Sequence, residues 1–120
     1  MVYQGNELRK RSRSIKDKAF RESDYKRKLM KKLKGIPNSY WFSKEAGSIR
    51  GISDIIGCVN GTFVAIEVKR SQAEADRWHP RNALQDKFLA DIQKVNGKSY
   101  KVFPENEEEV LVDIRRIEGM

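Results

Sequence analysis

The chain has 120 residues and a mass of 14.0 kDa, with 38% hydrophobic and 35% charged residues and a formal net charge of +8. That length supports one core, and no apolar run approaches the roughly 20 residues of a membrane span. A single cysteine, Cys58, excludes an internal disulfide, and one Cys with one His cannot supply the usual zinc ligands.

Residues 1–14, with RKRSRS at 9–14, lack periodicity and read as a flexible basic arm, which leaves residues 15–120 as a single domain. No apolar segment follows the basic residues as in a secretory signal, so an intracellular, cytoplasmic location is expected. Residues 1–34 hold 13 Lys/Arg and 4 Asp/Glu, a net +9, whereas residues 35–120 hold 12 and 13. Such a block suits a polyanion, with nucleic acid favoured over an acidic membrane surface. Candidate phosphate contacts are Arg9, Lys10, Arg11 and Arg13 in the arm, with Lys26 and Lys44 further along. A helix is expected over residues 16–34, because Tyr25, Leu29, Leu33 and Ile36 recur at spacings of four, four and three. Gly35 and Pro37 stop it. Glu22 falls on the same stripe. It is either a carboxylate turned toward a site or one placed favourably near the positive end of the helix dipole.

Residues 39–45, SYWFSKE, read as a strand with Trp41 in the core, and residues 46–51 as a loop. Asn60-Gly61 is a strong hairpin signal and predicts strands over residues 52–59 and 62–70. A two-residue type I′ loop makes paired residue numbers sum to 121: Cys58 faces Phe63, Ile56 faces Ala65, and Asp54 faces Glu67. Val64, Ile66 and Val68 fill one face, while Ile56, Cys58, Phe63 and Ala65 fill much of the other. The hairpin therefore reads as covered on both sides, with Cys58 a small core residue. Two opposed carboxylates there are destabilising unless a cation intervenes. Lys69, on the same face as Glu67, is one such cation, and a hard divalent ion such as Mg²⁺ or Mn²⁺ is the other.

Residues 71–79 read as an exposed polar loop, in which Trp78 is a candidate interface residue and His79 a DNA contact or an exposed loop residue. Pro80 opens a helix with an apolar stripe of Leu84, Phe88, Ile92 and Val95, ended by Asn96-Gly97. SYKVF at 99–103 reads as a fourth strand. Beyond Pro104, Val110, Ile114 and Ile117 fit a helix behind an acidic first turn, with Arg115 and Arg116 at its solvated end. Val110, Val112 and Ile114 also fit a strand, but the helix is preferred. The order α-β-β-β-α-β with a C-terminal α describes an α/β domain: a central mixed sheet of about four strands flanked by helices. The third and fourth strands should be parallel, joined by a right-handed crossover.

The segments RESDYKRKL (21–29), GISDIIG (51–57), FVAIEVKR (63–70) and ALQDKFLADIQKVNGKSYKVF (83–103) resemble the PD-(D/E)XK, restriction-endonuclease-like nucleases and, within them, the VRR-NUC family. The likeness spans roughly residues 20–115, with Ser53 where a Pro often precedes the Asp. It implies a restriction-endonuclease-like core and Mg²⁺-dependent hydrolysis of DNA, with Mn²⁺ able to substitute. It further implies that Asp54, Glu67 and the Val68 carbonyl bind the metal, and that Glu22 helps through water or a second ion. Lys69 would orient or activate water or stabilise phosphate charge, and Gln85 would contact the water, Lys69 or substrate. Short chains of this kind resemble stand-alone viral Holliday-junction resolvases, which implies a four-way junction cut by a symmetric homodimer in a host cytoplasm. The alternatives are a nuclease for flaps, nicks or unbranched duplex within a helicase or packaging complex, and a catalytically silent nucleic-acid-binding module. Asp54 opposite Glu67 argues against a pure binder, because both repel phosphate.

Overall fold

The computed structural model describes residues 23–44 and 53–119. Helical backbone occupies residues 23–34 (α1), and the Gly35 N–H closes its last turn on the Lys32 carbonyl at 3.2 Å. The remaining elements are β1 (Ser39–Ser43), β2 (Ile55–Val59), β3 (Thr62–Val68), α2 (Gln72–Asp76), α3 (Pro80–Lys94), β4 (Lys98–Val102) and α4 (Glu107–Glu118). The strands form one sheet in the order β1-β2-β3-β4. β1–β2 and β2–β3 are antiparallel, and β3–β4 is parallel, as a crossover through α3 demands. The domain is thus α/β, a mixed four-stranded sheet flanked by helices.

The hairpin follows from its loop. Asn60 and Gly61 have φ of 47° and 81°, the two left-handed conformations that a type I′ turn requires. The register runs from Val59↔Thr62 to Ile55↔Ile66, as the sum of 121 dictates. One sheet face, carrying Trp41, Ile55, Val59, Val64, Ile66, Val68 and Val102, packs against Leu29, Leu33 and Ile36 of the α1 region and against Val110, Leu111, Ile114 and Ile117 of α4. Trp41 lies over Gly57, so close that a Cβ there would overlap the indole ring. The C-terminal segment is helical. Glu107, Glu108 and Glu109 in its first turn and Arg115 and Arg116 in its last both complement the dipole. Val112, which a strand would place beside Val110, is exposed.

The other sheet face departs from expectation. Cys58 is exposed rather than part of the core, and Phe63 is exposed beside it. The cause is the position of α3, which packs chiefly on β3 and β4. The stripe expected on α3 holds only in part: Phe88 and Ile92 are half-buried, Leu84 and Val95 are exposed, and Leu89 is the buried residue. Asn82, Gln85, Leu89 and Gln93 form the docking side, with Gln93 donating to Ser99 Oγ at 2.9 Å and Ser99 Oγ donating to the Leu89 carbonyl at 2.7 Å. Residues 71–79 are not all loop, because Ser71 caps α2 by accepting from the Glu74 N–H. Trp78 is exposed and Trp41 buried. Among the described residues no helix is long and apolar enough to cross a membrane.

Candidate functional site

Asp54 immediately precedes β2 and Lys69 immediately follows β3, so the site forms where the hairpin's open end meets α3. The β1–β2 pairing continues one step past Ser43↔Ile55, since the Lys44 N–H donates to the Asp54 carbonyl at 2.7 Å. By the same register Asp54 stands opposite Glu67. The backbone alternates sides at each residue. The Lys69 N–H points to β4, donating to the Val102 carbonyl at 2.8 Å, whereas the Val68 N–H points to β2, donating to Asp54 Oδ2 at 3.0 Å. In extended backbone a residue's carbonyl shares the side of its N–H, which turns the Val68 oxygen toward Asp54.

Glu67 is only 2% exposed, and its Oε2 has no hydrogen-bond partner. Burial is the main cause that raises its carboxyl, to about 8, with the Asp54 charge and hydrogen bond adding to the rise and Lys69 opposing it. Lys69 relieves this little. Its Nζ stays 3.9 Å from Glu67 Oε1 and donates instead to Asn82 Oδ1 at 2.9 Å and Gln85 Oε1 at 3.0 Å. A buried ammonium fixed by two neutral amides keeps its charge available to a third group.

Asp54, Glu67, Val68, Lys69 and Gln85 line one open cleft of about 470 Å³, together with Glu74 of α2, Arg77 and His79 of the α2–α3 connection, and Arg81 and Asn82 in the first turn of α3. Among the described residues there is no group of three or more acidic, His or Cys side chains able to hold a metal ion. The donors at the hairpin end are two carboxylates and a backbone carbonyl, while the third carboxylate of the cleft, Glu74, accepts from Arg70 Nε at 2.9 Å. They fit Mg²⁺, which is held by one or two carboxylates and otherwise keeps its waters. The unpartnered Oε2 of Glu67 is an oxygen that lacks a cation or donor.

Glu22, Arg9, Lys10, Arg11 and Arg13 lie outside the described residues. Lys26 donates from Nζ to the Lys44 carbonyl at 3.3 Å, tying α1 to the end of β1, and neither lysine lines the cleft. His79 is exposed and caps α3, its Nδ1 accepting from the Arg81 N–H at 3.0 Å. Asn82 escaped the sequence reading. It accepts from Lys69 and donates from Nδ2 to the Arg77 carbonyl at 2.8 Å, so it ties the ammonium to the α2–α3 connection. Its signal is its spacing: Asn82 and Gln85 stand three residues apart on one helix face. No family model, curated protein or solved structure matches the chain.

Proposed function

We propose that the chain is a metal-dependent endonuclease that hydrolyses DNA phosphodiester bonds in the cleft between Asp54, Glu67 and Lys69. One observation carries this reading: the half-buried Asp54 stands opposite the buried Glu67, whose Oε2 is unpartnered, beside an ammonium held by amides. Such a group weakens the metal-free fold, so its value lies in chemistry rather than in stability. Asp54, Glu67 and the Val68 carbonyl would hold Mg²⁺ or Mn²⁺, and Glu22 is proposed to assist. An ion there would supply polarisation of a phosphoryl oxygen and a more acidic water. Lys69, fixed by Asn82 and Gln85, orients the attacking water or stabilises the phosphate's developing charge. Arg77 and Arg81 at the cleft meet neighbouring phosphates. The basic first third of the chain adds affinity without sequence preference.

A four-way junction cut by a symmetric homodimer is the proposed substrate, on the strength of the VRR-NUC resemblance. The deciding experiment is a cleavage panel of four-way junction, flap, nicked duplex, intact duplex and single strand, each with Mg²⁺ and with Mn²⁺. Asp54→Asn and Glu67→Ala should each lower cleavage by about a hundredfold or more while DNA binding persists. Lys69→Ala should slow single turnover at saturating metal without changing metal affinity. Normal Mg²⁺-dependent cleavage by Asp54→Asn would overturn the assignment, and cleavage of flaps or duplex but never junctions would remove the resolvase reading.

A further inference from the structure

The sheet face that carries the carboxylates continues past them as an aromatic strip. Side chains alternate along each strand, so Tyr40, Phe42 and Lys44 share a face, as do Cys58, Ile56 and Asp54, and Phe63, Ala65 and Glu67. The register sets these nine in three rows: Tyr40, Cys58 and Phe63; then Phe42, Ile56 and Ala65; then Lys44, Asp54 and Glu67. Successive rows are about 7 Å apart. Tyr40 is 73% exposed, Phe42 51% and Phe63 42%, although each lies in a paired strand. Isolated exposed aromatics are ordinary, but three on one face of adjoining strands form a patch of the kind that marks an interaction site.

We propose that this face binds unpaired nucleotides by stacking their bases on Tyr40, Phe42 and Phe63, so that a DNA strand reaching the Asp54–Glu67 pair is held single-stranded beside it. The choice of DNA as the occupant rests on the proposed function. Base stacking asks for flat rings without a fixed hydrogen-bond pattern, and these three side chains supply that. No acid lies in the two aromatic rows. Lys44 closes the strip next to the carboxylates, and the basic excess of the first 34 residues gives the chain affinity for a polyanion. The spacing between rows is close to the length of backbone a nucleotide covers when pulled out of a duplex. A base on Phe42 and the next on Tyr40 therefore leave the adjoining phosphate near Asp54 and Glu67. A second copy of the chain is the rival occupant. Seated here it would stand about 7 Å from the carboxylates and obstruct the approach to them. The inference narrows the substrate to DNA with unpaired nucleotides next to the cut, as at a branch point or a free end.

The test is binding in EDTA, where no cleavage occurs, with a labelled oligo(dT) of about 15 nucleotides and a duplex of equal length. The double variant Tyr40→Ala/Phe42→Ala should weaken oligo(dT) binding by about tenfold or more, with less than about a twofold change on duplex. Tyr40→Phe, which keeps the ring, should bind as the parent does. Phe42→Trp supplies a readout that does not depend on losing a side chain, because a base stacked on the indole quenches its emission. Unquenched emission at saturating oligo(dT), an unchanged dissociation constant in the double variant, or equal losses on oligo(dT) and duplex would each overturn the proposal. So would sedimentation showing a dimer that the double variant dissolves with oligo(dT) affinity intact, since a second copy would then own the face. Stacking without any nuclease activity would sink only the proposed function, and cleavage without stacking only the platform.

Discussion

Glu67 is where burial and charge conflict most directly. Its carboxyl is raised to about 8 by desolvation first and by Asp54 second, against 4.5 for an ordinary glutamate. The sign of the consequence is fixed. Below pH 4.5 the group is protonated whether the chain is folded or not, and its contribution to stability is fully present. As the pH rises toward 8, the folded chain binds the proton more tightly than the unfolded one, so stability is lost across that window. Metal-free protein should therefore unfold at lower denaturant concentration at pH 8 than at pH 5, and Glu67→Gln should remove the difference. Added Mg²⁺ should stabilise the parent more at pH 8 than at pH 5. A parent profile in EDTA that is flat from pH 5 to 8 would contradict the burial argument. Asp54, Glu67 and Lys69 stood out in the sequence because charges interrupt an apolar hairpin of known register. Asn82 did not, because an amide on a helix is ordinary until the crossover brings α3 over β3.

At the level of elements, the hairpin was the most legible part. A two-residue loop with two left-handed residues leaves one register, and every pair follows from it. The helix over 80–94 was legible as a helix but not in its orientation. The apolar stripe docks only in its middle, where Phe88 and Ile92 are half-buried while Leu84 and Val95 are exposed, and Asn82, Gln85 and Gln93 add hydrogen bonds to Lys69 and Ser99. Periodicity finds apolar faces, and a face built to hold a site is not apolar. α2 was missed because five residues are too few to show a period. Gly57 makes room on β2 for the ring of Trp41 from β1. Gly57→Ala should lower unfolding stability by about 1–3 kcal/mol, as the indole must move for one methyl group. An unchanged midpoint in urea would show that Trp41 has room to shift.

At the scale of the whole molecule, the α/β class and the parallel crossover were readable from element order alone, whereas the place of β1 beside β2 was not. Coverage of the sheet was not. The apolar residues of β2 and β3 suggested two covered faces, yet α3 reaches only half of one. What a strand exposes is decided by where its crossover helix lands, a non-local matter. The charge distribution remains the molecule's most evident bias toward a polyanion. Deleting residues 1–14 removes Arg9, Lys10, Arg11 and Arg13. Binding should weaken on every DNA tested, and the slope of log K against log salt should flatten by about 0.9 for each duplex phosphate that the arm no longer neutralises. Preference for a branched substrate should survive. Binding across a salt series, on junction and duplex in parallel, checks both points. An unchanged slope would mean that the arm does not touch phosphate.

The exposure of Cys58 makes the protein its own magnetic ruler. It is the chain's single thiol, so a nitroxide reagent labels one known position without mutagenesis. Cys58 lies four residues along the same strand line from Asp54, on the same face, which is about 13 Å. Paramagnetic Mn²⁺ held by Asp54 and Glu67 should broaden the nitroxide spectrum strongly at that range, and diamagnetic Mg²⁺ should reverse the effect by competition. Asp54→Asn should abolish the broadening at the same Mn²⁺ concentration. The measurement locates the ion with no substrate present and no bond broken. A spectrum indifferent to Mn²⁺ would place the ion elsewhere or nowhere.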